Sequence, residues 1–156
     1  MLYVFDTNSL RIIEYYYPER FPSFWNDFNE NVTAGKILSV KEVYNELEAQ
    51  LKEDFMIEWM TENKKIFMKP GQDEMNIVSR IFRRNTFQGL VKGQNLLQGM
   101  PVADPFVVAL AKIKNGIVVT EEKYKRNAAS IPNVCEYLNV RCTKMNGFMQ
   151  SEKMIY

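Results

Sequence analysis

The 156-residue sequence contains no histidine. This absence excludes catalysis by Ser-His-Asp or Cys-His groups, as well as zinc sites that use histidine ligands. It also removes the side chain that most often acts as a general base near neutral pH. If the protein is an enzyme, carboxylates, lysine or a bound metal must supply its chemistry.

The sequence is also poor in cysteine, in long apolar runs and in net charge. Its two cysteines, Cys135 and Cys142, lack the spacing of zinc ligands, and we expect a reduced, buried pair. No apolar run reaches the roughly 18 residues of a membrane span, and the amino terminus lacks a basic segment before an apolar one. We therefore predict a cytoplasmic protein without membrane contact. A net charge of +1 does not by itself indicate a nucleic-acid partner.

What the sequence does contain is typical of a globular protein with an aromatic-rich core. Its apolar fraction is 46% and its charged fraction 25%, with 10 Phe, 8 Tyr and 2 Trp. A chain of this length buries roughly two-thirds of its unfolded surface without disulfides or a structural metal. We therefore predict a single domain over residues 1–156.

Short apolar segments at residues 2–5, 36–40, 116–120 and 140–143 are predicted to form buried strands. Amphipathic helical segments separate them, and no segment carries the turn signal of a β-hairpin. This alternation predicts an α/β protein with three α/β/α layers around a central, mainly parallel sheet of four to five strands. Residues 85–101 are rich in glycine and lack clean periodicity, which predicts a loop or a broken helix.

Local signals predict where several helices begin and end. Ser39 is placed to cap the helix that follows the second strand, with Glu42 completing a capping box. Asp104, which is followed by proline, is a natural N-cap for a later helix. Gly35 and Gly116 are expected at the carboxyl ends of helices, where a left-handed residue is common.

Acidic residues stand where predicted strands end or helices begin. Asp6 follows the first strand and Glu122 follows the third, while Asp104 opens a helix. Glu46 borders the buried stripe of the helix after the second strand. Because ligands of parallel α/β sheets bind outside the carboxyl ends of the strands, we expect these acids to meet at one edge.

Such a group of acids predicts a site for divalent metal. Crowded carboxylates repel one another unless hard cations lie between them. Ligation by oxygen alone suits Mg²⁺ or Mn²⁺ and disfavours zinc. These ions activate water and offset charge on a phosphoryl group, so phosphodiester hydrolysis is the reaction class that the residues best serve.

The sequence resembles the PIN-domain nucleases, including the VapC-type toxins of toxin–antitoxin pairs. The resemblance rests on segments spread over most of the chain: FDTN, EVYNEL, VADPFVVALA and VVTEEKY. It implies that four acids bind metal and carry catalysis, namely Asp6, Glu46, Asp104 and Glu122. It also implies supporting roles for Asn8, Thr120 and Glu121. The family commonly has Asp at the last site, so Glu121 and Glu122 both remain candidates for the fourth acid.

The resemblance further implies an endoribonuclease that uses one or two Mg²⁺ or Mn²⁺ ions on an RNA substrate. Inhibition by a cognate antitoxin protein and formation of homodimers are typical of such toxins. The segments YYYPERFPSFW and IPNVCEYLNV indicate a distinct PIN-like subfamily rather than the shortest VapC proteins.

Each predicted role has a plainer alternative. Asp6 and Asp104 also suit turns and helix caps without metal, and Glu46 also suits a solvated helix edge. We predict phosphate contacts from basic residues that are equally consistent with a helix end or a solvated loop: Arg83, Arg84, Lys123 and Arg126.

Two rival functions remain on the sequence alone. The first is a binding scaffold that keeps a PIN-like fold without catalysis. The second is a phosphatase of the haloacid-dehalogenase type, which also places an Asp after its first strand. That chemistry needs a second Asp two residues after the nucleophile, where this sequence has Asn8, so it ranks last.

Overall fold

The computed structural model describes residues 1–90 and 102–156, which contain a five-stranded, wholly parallel sheet. Its strands are β1 (Tyr3–Phe5), β2 (Ile37–Val40), β3 (Phe67–Met68), β4 (Ile117–Val119) and β5 (Arg141–Thr143). Their order across the sheet is β3-β2-β1-β4-β5. Helices flank this sheet, so the predicted α/β/α architecture with a parallel sheet is confirmed.

The described α-helices alternate with the strands along the chain. They are α1 (Thr7–Ile12), α2 (Pro22–Thr33), α3 (Lys41–Gln50), α4 (Asp54–Glu62), α5 (Gln72–Phe82), α6 (Asp104–Lys114), α7 (Ile131–Leu138) and α8 (Met145–Ser151). None of the helices in the two described ranges has the length and apolar character needed to span a bilayer.

β1 is the central strand, and its side chains are completely buried. Tyr3 and Phe5 project to the same face because alternate residues of a strand share a face. There both rings pack edge-to-face against Phe148 of α8, and Phe5 also packs against Phe28 of α2. Each such pair adds about 0.5–1.5 kcal/mol beyond burial alone. This aromatic cluster therefore holds the carboxy-terminal helix against the sheet.

α6 is buried on every side from Pro105 to Ala111, and only its last turn is exposed. A helix that is apolar all round must be enclosed by other elements. α6 contacts the central strands β1, β2 and β4, and it also contacts α5 and α7. Its first turn lies beside the carboxyl ends of these strands, which brings Asp104 to that edge of the sheet.

The capping box predicted at the start of α3 is wrong. The helix begins at Lys41, and Ser39 is still part of β2. The buried Ser39 hydroxyl donates to the carbonyl oxygen of Phe5 at 2.7 Å, so it ties two neighbouring strands together. Glu42 is buried as well, at 5% exposure, instead of reaching back to a cap.

Two further helix signals are displaced by one residue. Asp104 is the first residue of α6 and not its N-cap, which is Ala103. The left-handed residue that ends α6 is Asn115, with φ 52°, and not Gly116. Gly35, with φ 74°, does follow the carboxyl end of α2 as predicted.

The structure adds elements that the sequence pattern does not predict, and the burial of one cysteine differs from expectation. The sequence pattern predicts neither the two-residue strand β3 nor the helix α8. Within the segment predicted as a loop or broken helix, Asn85–Leu90 form a 3₁₀ helix, and 91–101 lie outside the described residues. Both cysteines are free, but only Cys135 is buried, whereas Cys142 is exposed on the edge strand β5.

Candidate functional site

A small cavity opens at the carboxyl ends of β1 and β4, which are neighbouring strands in register. Its volume is about 80 Å³. Eight residues line it, and they include all four acids predicted from the sequence: Asp6, Thr7, Asn8, Glu46, Gln50, Val102, Asp104 and Glu122. Segments that are far apart in sequence therefore meet at one place, which we call the acid cavity.

Asp6 lies at the end of β1 and is only 2% exposed. Its Oδ1 accepts a hydrogen bond from the backbone N–H of Ser9 at 2.7 Å, which caps α1, and its Oδ2 accepts one from the Thr120 hydroxyl at 2.6 Å. Burial raises the pKa of Asp6; these hydrogen bonds oppose that shift, and the charge of Glu122 adds to it. A carboxylate oxygen has two acceptor positions, so capping by itself does not prevent cation binding.

Glu46 is fixed by contacts from two other segments. The Thr7 hydroxyl donates to its Oε2 at 2.5 Å, and the backbone N–H of Ala103 donates to its Oε1 at 3.3 Å. The side chain is half-buried and points into the acid cavity, so it does not stand on a solvated helix edge. These bonds link α3 to the first turn of α1 and to the residue before α6.

The two successive glutamates after β4 occupy different positions. Glu122 lines the acid cavity, its N–H donates to the Thr120 hydroxyl at 3.2 Å, and its Oε2 accepts from the N–H of Ile131 at 2.8 Å. Glu121 instead accepts from the N–H of Met145 at 2.8 Å, at the start of α8. The geometry therefore favours Glu122 as the fourth acid, while its role in metal binding stays a prediction.

Asp104 and Asn8 complete the polar wall. Asp104 is half-buried in the first turn of α6, where the positive end of the helix dipole favours a carboxylate. Asn8 is exposed in the first turn of α1. Both side chains line the acid cavity, Asn8 on the side open to solvent.

The acids of the cavity are the type of ligand that a hard cation prefers, but their side chains are not close enough together to bind one ion. All four acids offer carboxylate oxygens, the ligands that Mg²⁺ and Mn²⁺ prefer. Within residues 1–90 and 102–156, no three Asp, Glu or Cys side chains are close enough as they lie to hold one metal ion.

A family model described as Domain of unknown function (DUF4411) matches residues 3–156. The chain belongs to the DUF4411 family. The matched range includes every residue of the acid cavity. No curated protein sequence matches the chain.

The DUF4411 chain is similar in structure to FitAcB from Neisseria gonorrhoeae, a crystal structure that it matches with a TM-score of 0.51. The similarity covers 90% of this chain and 96% of that chain, at 14% sequence identity. At this identity the likeness concerns the fold alone. Together with the parallel sheet, it shows that the DUF4411 chain has a PIN-like fold.

Sequence reasoning missed two polar residues of the acid cavity in this DUF4411 chain. Thr7 lies inside the FDTN segment, and its hydroxyl donates to Glu46. The sequence alone does not show that these two residues meet, because they are 39 residues apart. Gln50 lines the cavity one helical turn after Glu46. That spacing of four residues was available in the sequence, because such residues share a helix face.

Glu42 is a second acid on α3 whose position was not expected. Burial raises the pKa of Glu42, and the charge of Glu46 adds to this effect, although a backbone hydrogen bond opposes it. Among the described residues its Oε2 has no hydrogen-bond partner. A buried acceptor without a partner costs about 1–3 kcal/mol, so Glu42 weakens the fold beside the acid cavity.

The basic residues predicted to contact phosphate occupy separate positions. The guanidinium of Arg84 lies 4.4 Å from the ring centroid of Tyr137. Lys123 is exposed in the loop after β4, where it lines a shallow groove. Arg83 and Arg126 are exposed. Contact of these four residues with phosphate remains a prediction.

Proposed function

We propose that this DUF4411 chain is a single PIN-like nuclease domain that hydrolyses RNA phosphodiester bonds with Mg²⁺ or Mn²⁺. The observation that carries the proposal is the meeting of four acids at one cavity of about 80 Å³: Asp6, Glu46, Asp104 and Glu122. Carboxylates so placed repel one another. One or two hard cations would offset this repulsion, which makes a metal site the best explanation of the arrangement.

The four acids would hold the metal, and their neighbours would hold the acids. Thr120 and Ser9 orient Asp6, and Thr7 orients Glu46, through the hydrogen bonds described above. Partners of this kind fix ligand geometry and typically change metal affinity or activity by about 10- to 100-fold. When bound, Mg²⁺ or Mn²⁺ supplies an acidified water and offsets negative charge on the phosphoryl oxygens.

Cleavage of short single-stranded RNA by the full-length protein tests the proposal. We expect cleavage with Mg²⁺ or Mn²⁺, loss of cleavage with EDTA, and a loss of about 100-fold or more in Asp6→Asn/Asp104→Asn. The matched control is Asp54→Asn/Asp73→Asn, which changes two exposed acids in the first turns of α4 and α5. Failure to cleave any RNA with either ion would refute the proposal, as would cleavage that survives the first double substitution.

We also propose that the nuclease is a toxin neutralised by an antitoxin protein. This part follows from the PIN-like fold together with the resemblance to toxin segments. Expression of the chain alone should arrest growth, and Asp6→Asn/Asp104→Asn should abolish the arrest. A small regulator encoded beside it should restore growth and co-purify with the chain. Cleavage of RNA without any effect on growth would indicate a housekeeping nuclease instead.

A catalytically inactive RNA- or protein-binding scaffold is the second candidate. One observation favours it: the acid side chains in the described residues do not lie within joint coordinating distance of one ion. Titration with Mn²⁺ separates the two candidates. Binding that depends on Asp6 supports the nuclease, whereas absence of binding supports the scaffold.

A further inference from the structure

A second cavity, of about 260 Å³, lies between the end of α5, the loop after β4, and α7. It is smaller than the roughly 300–1,000 Å³ of pockets that hold drug-sized ligands, so its occupant would be a single ring system. Its lining combines a cation, an anion, an amide and three aromatic rings: Arg84, Glu136, Asn127, Phe87, Tyr124 and Tyr137. We call it the aromatic cavity.

Arg84 is held among rings in this cavity. Its guanidinium lies 4.4 Å from the centroid of Tyr137 and 5.5 Å from that of Phe87. Within the described part of the chain Arg84 forms no ion pair. Its charge is therefore not paired with an acid there, and a guanidinium held among rings is a group beside which a nucleobase stacks.

Tyr124 presents a second stacking surface on a fixed loop. The residue is 55% exposed, so its ring is accessible to a stacking partner. The buried side chain of Asn133 fixes this loop by hydrogen bonds. Its amide N–H donates to the carbonyl of Lys125 at 2.6 Å. Its Oδ1 accepts from the N–H of Lys125 at 3.2 Å and from the Ser130 hydroxyl. The exposed ring is thus carried by a loop with defined geometry.

The polar groups of the cavity favour a base over a phosphate. Glu136 lines the same cavity as Arg84, and its carboxylate would repel a phosphate placed there. Carboxylate and amide groups instead accept from and donate to the edges of bases. A cavity that offers rings, a guanidinium, a carboxylate and an amide matches the faces and edges of one unpaired base.

The aromatic cavity also lies close to the acid cavity. Glu122 lines the acid cavity and Tyr124 lines the aromatic cavity, and the two residues are separated by one residue of the same loop. Two residues of extended chain span at most about 7 Å. A nucleotide in the aromatic cavity would therefore belong to the same RNA strand as a phosphodiester at the acid cavity.

We infer that the aromatic cavity binds one unpaired base of the RNA substrate, beside the bond cut at the acid cavity; this inference rests on the proposed nuclease function. Tyr124 and Arg84 stack on the base, and Glu136 accepts from its edge. The cavity thereby selects single-stranded RNA, because a paired base cannot enter it.

RNA binding by the uncleaving protein tests the inference. The full-length Asp6→Asn/Asp104→Asn variant is titrated in EDTA against a fluorescent, mixed-sequence single-stranded RNA, and anisotropy is measured. Adding Tyr124→Ala or Arg84→Met should weaken binding by about fivefold or more, as the loss of a stacking partner does. Tyr15→Ala, at a residue that is 70% exposed, and Arg20→Met are the matched controls and should change Kd by less than about twofold.

RNAs with one abasic nucleotide separate base binding from charge. For one position of the abasic nucleotide, the parent should bind the abasic RNA as weakly as Tyr124→Ala binds intact RNA. Tyr124→Ala should bind that abasic RNA no more weakly than the parent does. The inference is overturned if Tyr124→Ala and Arg84→Met bind intact RNA like the parent, or if no abasic position removes the effect of Tyr124→Ala. Cleavage by the wild-type protein is measured separately, so failure of the nuclease and failure of the aromatic cavity give different results.

Discussion

Replacement of Asp6 by asparagine is expected to stabilise the metal-free protein and to remove its response to metal. Asp6 is buried among polar groups, it forms no ion pair with a Lys or Arg of residues 1–90 and 102–156, and burial raises its pKa. Asparagine keeps the carbonyl that accepts from Ser9, and the Thr120 hydroxyl can turn to accept from its amide. The substitution therefore removes a disfavoured charge without removing a hydrogen bond.

The gain in stability expected for Asp6→Asn depends on pH. Because folding raises the pKa of Asp6 above its ordinary value of 3.8, the folded state binds the proton more tightly than the unfolded state. Stability of the parent therefore falls as pH rises from about 3.8 through the raised pKa, and it stays lower above that pKa. Below the ordinary value both states are protonated. The advantage of Asp6→Asn should be complete above the raised pKa of Asp6 and disappear in acid.

Single stabilising substitutions commonly add about 0.5–2 kcal/mol to the free energy of unfolding. For a chain of this size, 1 kcal/mol corresponds to roughly 2–4 °C in melting temperature. Mn²⁺ at about 100 times its Kd should stabilise the parent by about 2.7 kcal/mol, or roughly 5–11 °C, and leave Asp6→Asn unaffected. The order of the two melting temperatures should therefore reverse when metal is added.

Differential scanning fluorimetry with and without Mn²⁺, from neutral to acid pH, measures both effects. Asp54→Asn is the control, because Asp54 is exposed at the start of α4 and should show neither effect. Equal metal-induced shifts in the parent and in Asp6→Asn would refute the metal role of Asp6. A variant less stable than the metal-free parent at neutral pH would refute the reasoning about the buried charge.

Four further substitutions test other parts of the structure. Glu122→Gln should lower RNA cleavage at least tenfold, because Glu122 lines the acid cavity. Glu121→Gln should mainly lower the melting temperature, because Glu121 accepts a hydrogen bond from the first residue of α8. Equal losses of activity in the two variants would contradict this difference. Phe148→Ala should destabilise the protein by about 3–5 kcal/mol in chemical denaturation, and a loss under 1 kcal/mol would show that α8 does not anchor the core. A hydrogen bond from Cys135 lowers the pKa of Cys142 to about 7, so alkylation of Cys142 should be half-maximal near that pH, and Cys135→Ala should move the midpoint upward.

The elements that sequence alone could predict are those whose signal is local. Buried parallel strands consist of continuous apolar residues, so β1, β2 and β4 are evident as short runs that end in polar residues. β3 has only two residues, too few to show a pattern, and it forms because β2 offers a free edge beside it. The 3.6-residue periodicity in turn predicts helices well but places their first residues less well.

Ser39 shows why the helix starts were misplaced. Serine before an apolar helix favours a cap, and the same hydroxyl also satisfies a buried carbonyl. In the fold the Ser39 hydroxyl donates to the carbonyl of Phe5 on the neighbouring strand, and the helix begins two residues after Ser39. Which of two hydrogen bonds a serine makes depends on a strand that is 34 residues away in sequence.

The acid cavity depends on strand order, which no local pattern specifies. Asp6 and Thr120 are 114 residues apart in sequence, and yet their side chains form a buried hydrogen bond of 2.6 Å. This is possible because β1 pairs directly with β4, with Phe5 opposite Val119, so the residues that follow both strands emerge side by side. The motifs predict which residue types reach the edge of the sheet, and the pairing of β1 with β4 decides which of them touch. For the same reason the uncharged residue Thr120 helps to fix the position of Asp6. It follows the neighbouring strand, and its hydroxyl donates a hydrogen bond to the Asp6 carboxylate.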